Sequence, residues 1–329
     1  MPKITIIIPN YNHGRFLDQR IKSVLGQTFQ DFEVIILDDA SKDNSLEIIS
    51  RHLADPRVRL FKNERNSGSP FVQWNKGISL AISKYVWIAE SDDYAEPELL
   101  ETLVAELEQQ PLAALAYCQS IRVDENNVKT GTMLEWTDDL FGPRWRHKFV
   151  NDGRDECARY LLLRCTIPNA SAVVFRRDAY PLDNRDAESM HVCGDWLTWA
   201  KILQQGKLVY IPKALNYFRT HAASARSTTK VWDWLRETCR VQKHIIAHSS
   251  PSKEAVTKAQ AGTASQWRNL TRHIRSIGDF RIALDAAMII PHYQNKSRIA
   301  VSLLAILEIL SSPFRRLVRI SLNWFARQG

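Results

Sequence analysis

The chain has 329 residues, 45% of them hydrophobic and 9% aromatic, which suffices for one large or two ordinary domains and excludes a disordered or fibrous protein. Its formal charge of +8, taken whole, points to an anionic partner. That excess sits at one end: residues 1–229 sum to −2 and residues 230–329 to +10.

In chain order, Ile4–Ile8 is rich in β-branched residues and stops at Pro9, which cannot donate to a ladder, so a buried strand is expected. Arg15–Leu25 carries Phe16, Ile21, Val24 and Leu25 at helical spacing, and Phe32–Leu37 reads as a second strand running into Asp38-Asp39. Ser41–Asp43 can cap a helix over Ser45–Leu53, ahead of a short strand at Val58–Phe61. Ser69-Pro70 opens a helix through Ile82, and Tyr85–Ala89 is a fourth strand that runs into Glu90-Ser91-Asp92-Asp93. A long helix starts near Glu96-Pro97 and ends at Pro111, before a strand at Ala113–Cys118. Residues 120–170 show no clear period and read as loop-rich. A strand at Ala172–Phe175, a helix at Trp196–Gln205 and strands at Leu208–Ile211 and Leu215–Phe218 complete this unit. Beyond Val231 the pattern is almost wholly helical.

Strand and helix alternating at this spacing predict an α/β fold with parallel strands joined by crossovers. In such sheets ligands bind beyond the carboxyl ends of the strands. Parallel topology therefore brings Pro9–Tyr11, Asp38-Asp39 and Glu90–Asp93 to one rim. The chain has neither G-x-G-x-x-G nor G-x-x-x-x-G-K-[ST], so neither a dinucleotide-binding unit nor a P-loop is supported. A carboxylate cluster can hold a phosphate indirectly, through a divalent cation; a solvated turn is the plain alternative. The five cysteines are scattered without a C-x-x-C pair, which argues against a disulfide framework or a zinc site and fits a reducing cytoplasm. The apolar run before Pro9 is too short for the core of a secretory signal.

The runs Ile6-Ile7-Ile8-Pro9-Asn10-Tyr11-Asn12, Ser23-Val24-Leu25-x-Gln27-Thr28 and Phe32–Leu37-Asp38-Asp39-Ala40-Ser41-x-Asp43 resemble the opening of family 2 glycosyltransferases of the GT-A fold. Asn66-x-Gly68, Trp74-Asn75-x-Gly77-Ile78 and Glu90-Ser91-Asp92-Asp93 follow in the order and spacing of that family, over about residues 3–225. The resemblance implies a GT-A catalytic domain over 1–228, with a nucleotide-sugar half to about 118 and an acceptor half from about 119. A mainly helical region over 229–329 would follow. It implies a UDP-sugar as the expected donor and Mn2+ or Mg2+ as cofactor. Pro9, Tyr11 and Asp39 fall around the nucleobase, with Asn66 also in the donor site, Asp92 near the ribose or metal, and Asp93 on the metal. Glu90 stands where the family carries Asp.

Cys193-Gly194-Asp195-Trp196-Leu197 resembles the family's Gly-(Glu/Asp)-Asp segment, whose carboxylate is the general base; an N-cap is the plain alternative for Asp195. Tyr217-Phe218-Arg219-Thr220-His221-x-x-Ser224 resembles a Tyr-Arg-x-His-x-x-Ser segment with Phe218 inserted. It makes His221 a metal ligand and Arg219 a partner of the diphosphate, unless Arg219 pairs with a nearby acid. The implied reaction is a single inverting displacement onto a hydroxyl of a surface-polysaccharide or lipid-linked glycan. Trp136 and Trp145 either stack on sugar rings or pin loops.

Residues 297–329 lie outside the resemblance. Ile299–Leu310 is too short to span a bilayer, and from Arg315 onward arginines and large apolar residues take opposite helix faces. This predicts peripheral attachment to an anionic membrane surface, at the cytoplasmic face of the plasma membrane. The alternatives are packing on the catalytic domain or at a homodimer interface. A nucleotidyltransferase-like enzyme using the same carboxylates would instead release pyrophosphate, and a basic nucleic-acid-binding protein is disfavoured because no such module is present.

Overall fold

The β-branched run at the N-terminus forms the middle of a ten-stranded sheet. The computed structural model describes residues 1–222, 231–272, 280–281, 283–285, 287 and 298–311. Strand β1 (Ile4–Asn10) is buried along its length and pairs in parallel with β2 (Phe32–Asp38) and β4 (Tyr85–Ile88), while β3 (Val58–Lys62) extends β2 in parallel. Pro9 falls inside β1, one residue beyond the expected end. The Ile7 carbonyl accepts the Ala89 N–H, so the strand's alternation turns the Pro9 nitrogen to the same side, where β4 has already ended and no ladder bond is lost.

Strand order is β3-β2-β1-β4-β9-β6-β10-β5, where β5 is Tyr94–Ala95, β6 Ala113–Val123, β9 Val173–Arg176 and β10 Lys207–Arg219. Strands β1 to β4 are parallel as expected, but β9 runs antiparallel to both β4 and β6. β10 is one strand rather than the expected two. Pro212 lies where its register on β6 shifts, between Ile211 and Ala214, so the proline is absorbed by an irregularity instead of ending the strand. The stretch 120–170 is more regular than its sequence suggests: β7 (Lys129–Thr132) pairs with β6 and β8 (Phe149–Asp152) with β10, around a helix at Leu134–Phe141.

The helices flank this sheet. They are α1 (Gly14–Leu25), α2 (Ser45–Ser50), α3 (Pro70–Leu80), α4 (Leu99–Gln109), α5 (Leu134–Phe141), α6 (Gly153–Glu156), α7 (Arg185–Glu188) and α8 (Gly194–Ile202). Three more follow: α9 (Val231–Ser249), α10 (Lys253–Thr271) and α11 (Arg298–Ser311). The expected division at 228/229 is not a division of the core, because Val241, Ile245 and Ala259 of α9 and α10 lie in the same buried cluster as Trp196, Leu197 and Leu208. Val301 and Ala305 of α11 pack with Ala264 and Trp267 of α10, so this part of the 297–329 segment seats on the protein, while Leu303, Ile306 and Leu307 stay exposed. Residues 312–329, with the arginine-rich face, lie outside the described residues. Among the described residues no helix is long and apolar enough to cross a membrane.

Candidate active site at the strand ends

The carboxyl ends of β1, β2 and β4 meet at one rim. Asn10 Nδ2 donates to Asp38 Oδ1 at 2.9 Å and to Ser41 Oγ at 3.1 Å, joining the first two ends. Asp39 is buried and accepts from Asn63 Nδ2 at 2.6 Å, the Ser67 N–H at 3.0 Å and the Ser67 hydroxyl at 2.7 Å, so it organises the 63–68 loop. Tyr11 is exposed on this rim. Asn66 sits on the exposed loop and accepts the Gly68 N–H, with Gly68 at φ +77°, the left-handed region open to glycine. Gly77 answers to a different constraint: a Cβ there would fall 2.6 Å from Ile7 Cγ2, so α3 can lie on β1 only without a side chain at this position.

The carboxylates of Glu90–Asp93, just beyond β4, divide by direction. Glu90 turns inward: Trp74 Nε1 donates to its Oε1 at 2.8 Å, and burial, with Asp92 nearby, pushes its carboxyl up to about 8. Trp74 of the Trp-Asn-x-Gly run thus holds Glu90, while Asn75 donates to Glu188 and accepts from Tyr180. Asp93, 2% exposed, is enclosed by protein donors. Its Oδ1 accepts the Arg219 N–H at 2.8 Å and its Oδ2 accepts from Ser171 Oγ at 2.7 Å and Asn169 Nδ2 at 3.0 Å, with Arg20 Nη2 at 3.9 Å. Burial and neighbouring Asp92 raise it to about 6, and burial lowers the Arg20 guanidinium to about 10, which leaves Arg20 charged at neutral pH.

Asp92 faces the other way. Its Oδ2 lies 3.0 Å from His221 Nε2, and His13 and His221 meet edge to face with ring centroids 5.3 Å apart. Burial would raise Asp92, but the His221 hydrogen bond and the His13 ring bring it below its usual value. Among the described residues one group has the composition of a metal site: His13, Asp92 and His221, whose ligand atoms all lie within 4.8 Å of one another. A carboxylate oxygen with imidazole nitrogens fits a divalent cation. Of the two ligands expected from sequence, His221 belongs to this group and Asp93 does not.

Arg219 is 1% exposed, and four of the five N–H groups of its guanidinium donate to the protein. Nε donates to the Asp92 carbonyl at 2.6 Å, Nη1 to the Asp124 carbonyl at 2.9 Å, and Nη2 to Gln19 Oε1 and Asn127 Oδ1 at 2.9 and 2.8 Å. It is a brace between the β4 end, α1 and the 124–127 turn, and most of the donors expected to meet a diphosphate are instead directed at protein oxygens. Phe218 follows Tyr217, which stacks on Tyr94 at 4.2 Å, and Arg219 still reaches the carboxylate turn from the end of β10.

Asp195 is the second residue of α8. Cys193 holds the cap position and Asp195 Oδ1 instead accepts the Trp196 N–H at 2.6 Å, so the N-cap alternative does not describe it. Gly194 packs closely on Phe71, where a Cβ would fall 2.5 Å from the ring. Asp195 lines a cavity of about 680 Å³ between residues 136–196 and α9–α10, whose other walls include Trp136, Arg164, Trp196, Trp234 and Lys258. Trp136 and Trp196 are pinned by their indole N–H groups to the Cys165 and Leu161 carbonyls. Trp145 is instead buried, donating to Tyr117 Oη at 2.7 Å, and pins its loop.

Sequence reasoning missed Glu237 of α9. Its carboxylate accepts three successive N–H groups, from His191 at 2.7 Å, Val192 at 2.9 Å and Cys193 at 2.8 Å, directly ahead of Asp195. It also passed over His13, although that residue immediately follows the Pro-Asn-Tyr-Asn run.

The family described as Glycosyl transferase family 2 matches residues 5–188. GlyG of Streptococcus pneumoniae serotype 4 is 36% identical over 107 residues, 32% of this chain and 35% of GlyG. The poly(ribitol-phosphate) beta-N-acetylglucosaminyltransferase TarP of Staphylococcus aureus is 37% identical over 107 residues, 31% of this chain and 32% of TarP. The matched parts are thus about a third of either relative. The structure of S. aureus TarS 1–349 with UDP-GlcNAc aligns at a TM-score of 0.67 and 17% identity, over 94% of this chain and 88% of that one. The fold is accordingly of the GT-A type.

Proposed function

Because the chain belongs to glycosyl transferase family 2 and is a glycosyltransferase, we propose that it moves one sugar, with inversion, from a UDP-sugar to a glycan hydroxyl presented in the cavity beside Asp195. UDP-GlcNAc bound to TarS, a neighbour in fold, supports the donor class. The rim of Pro9, Tyr11, Asp39 and Asn66 receives the nucleotide. Asp92 and His221 take the divalent cation, Mn2+ or Mg2+, in place of Asp93, whose oxygens are occupied by Arg219, Ser171 and Asn169.

The observation that carries this reading is Asp195 on the wall of the 680 Å³ cavity, immediately after a loop clamped by Glu237. An acceptor hydroxyl is a poor nucleophile, and a fixed carboxylate removes its proton as the new bond to the anomeric carbon forms. A bound divalent cation would supply positive charge against the departing nucleotide diphosphate. Arg20 and Arg219 hold the backbone of the carboxylate turn through the Glu90 and Asp92 carbonyls, so Asp92 keeps its direction.

The apolar walls and the pinned tryptophan rings suit a sugar ring or the apolar part of a lipid-linked acceptor, and Lys258 suits an anionic one. Action at the cytoplasmic face of the plasma membrane, with residues 297–329 on its surface, remains part of the proposal; the exposed Leu303, Ile306 and Leu307 support it. Deleting 297–329 should release the protein from anionic vesicles in flotation, and unchanged flotation would remove the tail as anchor.

Asp195→Asn is the test of the base. Calorimetry should give unchanged UDP-sugar affinity while transfer, followed as release of free UDP, falls at least about 100-fold. Turnover retained above a few per cent would remove Asp195 from this role.

A further inference from the structure

His13 has no part in the sequence motifs, yet its ring stands with Asp92 and His221. It occupies the residue before α1, and its Nδ1 lies 2.8 Å from Ser91 Oγ, the residue next to Asp92. With Nδ1–H donating to that hydroxyl, Nε2 keeps its lone pair. This is the arrangement in which metal-ligating imidazoles are held, one nitrogen fixed by a hydrogen bond and the other presented to the ion.

The spacing also fits. Ligands about 2.1 Å from a common ion stand about 3.0 Å apart when adjacent on an octahedron and about 4.2 Å apart when opposite. His221 Nε2 and Asp92 Oδ2 are 3.0 Å apart, and the whole set lies within 4.8 Å.

We propose that His13 is a third protein ligand of the divalent cation, giving this enzyme a two-imidazole, one-carboxylate site that selects Mn2+ and later transition ions over Mg2+ and Ca2+. The inference rests on metal-dependent donor binding as proposed above and goes beyond it in assigning His13 and the selectivity. The physical cause is ligand type. Mg2+ and Ca2+ prefer oxygen donors and gain little from a second nitrogen, whereas transition ions bind imidazole strongly. A site with Asp92 and His221 alone would discriminate less.

The test uses the full chain stripped of metal with a chelator, Mn2+ as probe, and parallel samples with and without UDP. Electron paramagnetic resonance counts free Mn2+, and its pulsed form counts imidazole nitrogens coupled to bound Mn2+. Wild type should show two imidazoles, and His13→Ala and His221→Ala one each. His13→Ala should bind Mn2+ about 10-fold or more weakly, on the scale of losses at metal shells, and lose Mn2+ to correspondingly less Mg2+. His13→Gln, which retains a side-chain amide for the Ser91 contact, should show the same loss, and matched melting curves separate metal loss from misfolding. One imidazole in wild type, or Mn2+ affinity of both His13 variants within two-fold of wild type, overturns the role of His13 and leaves the Asp92–His221 reading standing. Wild type that binds no Mn2+ with UDP present overturns both.

Discussion

Replacing Glu237 by Gln is the most informative single change outside the carboxylate turn. The native carboxylate is 4% exposed and accepts the His191, Val192 and Cys193 N–H groups at 2.7, 2.9 and 2.8 Å. Hydrogen bonds to a charged group each contribute about 1.5–3 kcal/mol, and a buried donor left unpaired costs about 1–3 kcal/mol. Oε2 serves two of the three donors and Oε1 the third. An amide keeps one oxygen, so at least one N–H must face an NH2 group. The negative charge beside the start of α8 is lost as well, a term of up to about 2 kcal/mol in buried geometry. The expected destabilisation is about 3–5 kcal/mol in urea unfolding. Because the clamped loop leads into Asp195, transfer should fall more than UDP-sugar affinity if the donor binds, as proposed, at the β1, β2 and β4 ends. A loss below about 1 kcal/mol with unchanged turnover would refute the clamp, and an equal loss of donor affinity would show that the damage is general.

Gly194→Ala places a methyl against the buried Phe71 ring and should cost about 1–3 kcal/mol of stability, read by thermal melting, with Phe71→Leu restoring part of it. Arg144 forks onto Glu156 with contacts of 3.0 and 2.7 Å and lies 3.6 Å over Phe149. Arg144→Lys keeps the charge but loses the fork, an expected cost of about 1–3 kcal/mol, whereas Arg144→Ala leaves a buried carboxylate without its counter-charge, with the Asn151 amide as its remaining donor, and should cost about 3–5 kcal/mol. His244 is held neutral, its proton affinity lowered by burial to a pKa of about 4, and its Nε2 has no hydrogen-bond partner among the described residues. The folded state therefore binds fewer protons than the unfolded one between about pH 6.5 and 4. Stability is full above that window and lost as the pH falls through it. With the ring partly in water, the loss is discounted to about 1 kcal/mol. His244→Gln should flatten this slope in urea titrations at pH 7 and 5, and an unchanged slope would assign it elsewhere.

What could be read in sequence was whatever local periodicity encodes. The strand ends at Asn10, Asp38 and Ile88 follow from apolar runs stopping at turn residues, and they put the rim where it is. Direction and pairing were less legible. Nothing local makes β9 antiparallel, and Pro212 argues for a break that the sheet accommodates by a register shift. Adjacent carboxylates posed the same difficulty on a smaller scale. Asp92 and Asp93 are chemically alike, and which of them turns to His221 depends on Asn169 and Ser171, almost eighty residues away, which enclose the other. Glu237 was invisible because its partners are backbone N–H groups, which every residue but proline carries.

The clamp at 191–193 has a consequence for dividing such proteins. The family match stops at residue 188, yet the segment leading to Asp195 is tied to Glu237 on α9, and the cavity wall continues onto α10. A chimera joined at residue 188, or between Phe218 and Val231, would pair the 191–193 loop with a helix that never evolved to hold it. Exchanging this region between relatives therefore calls for moving residues 189–271 as one block, so that the loop travels with its own anchor.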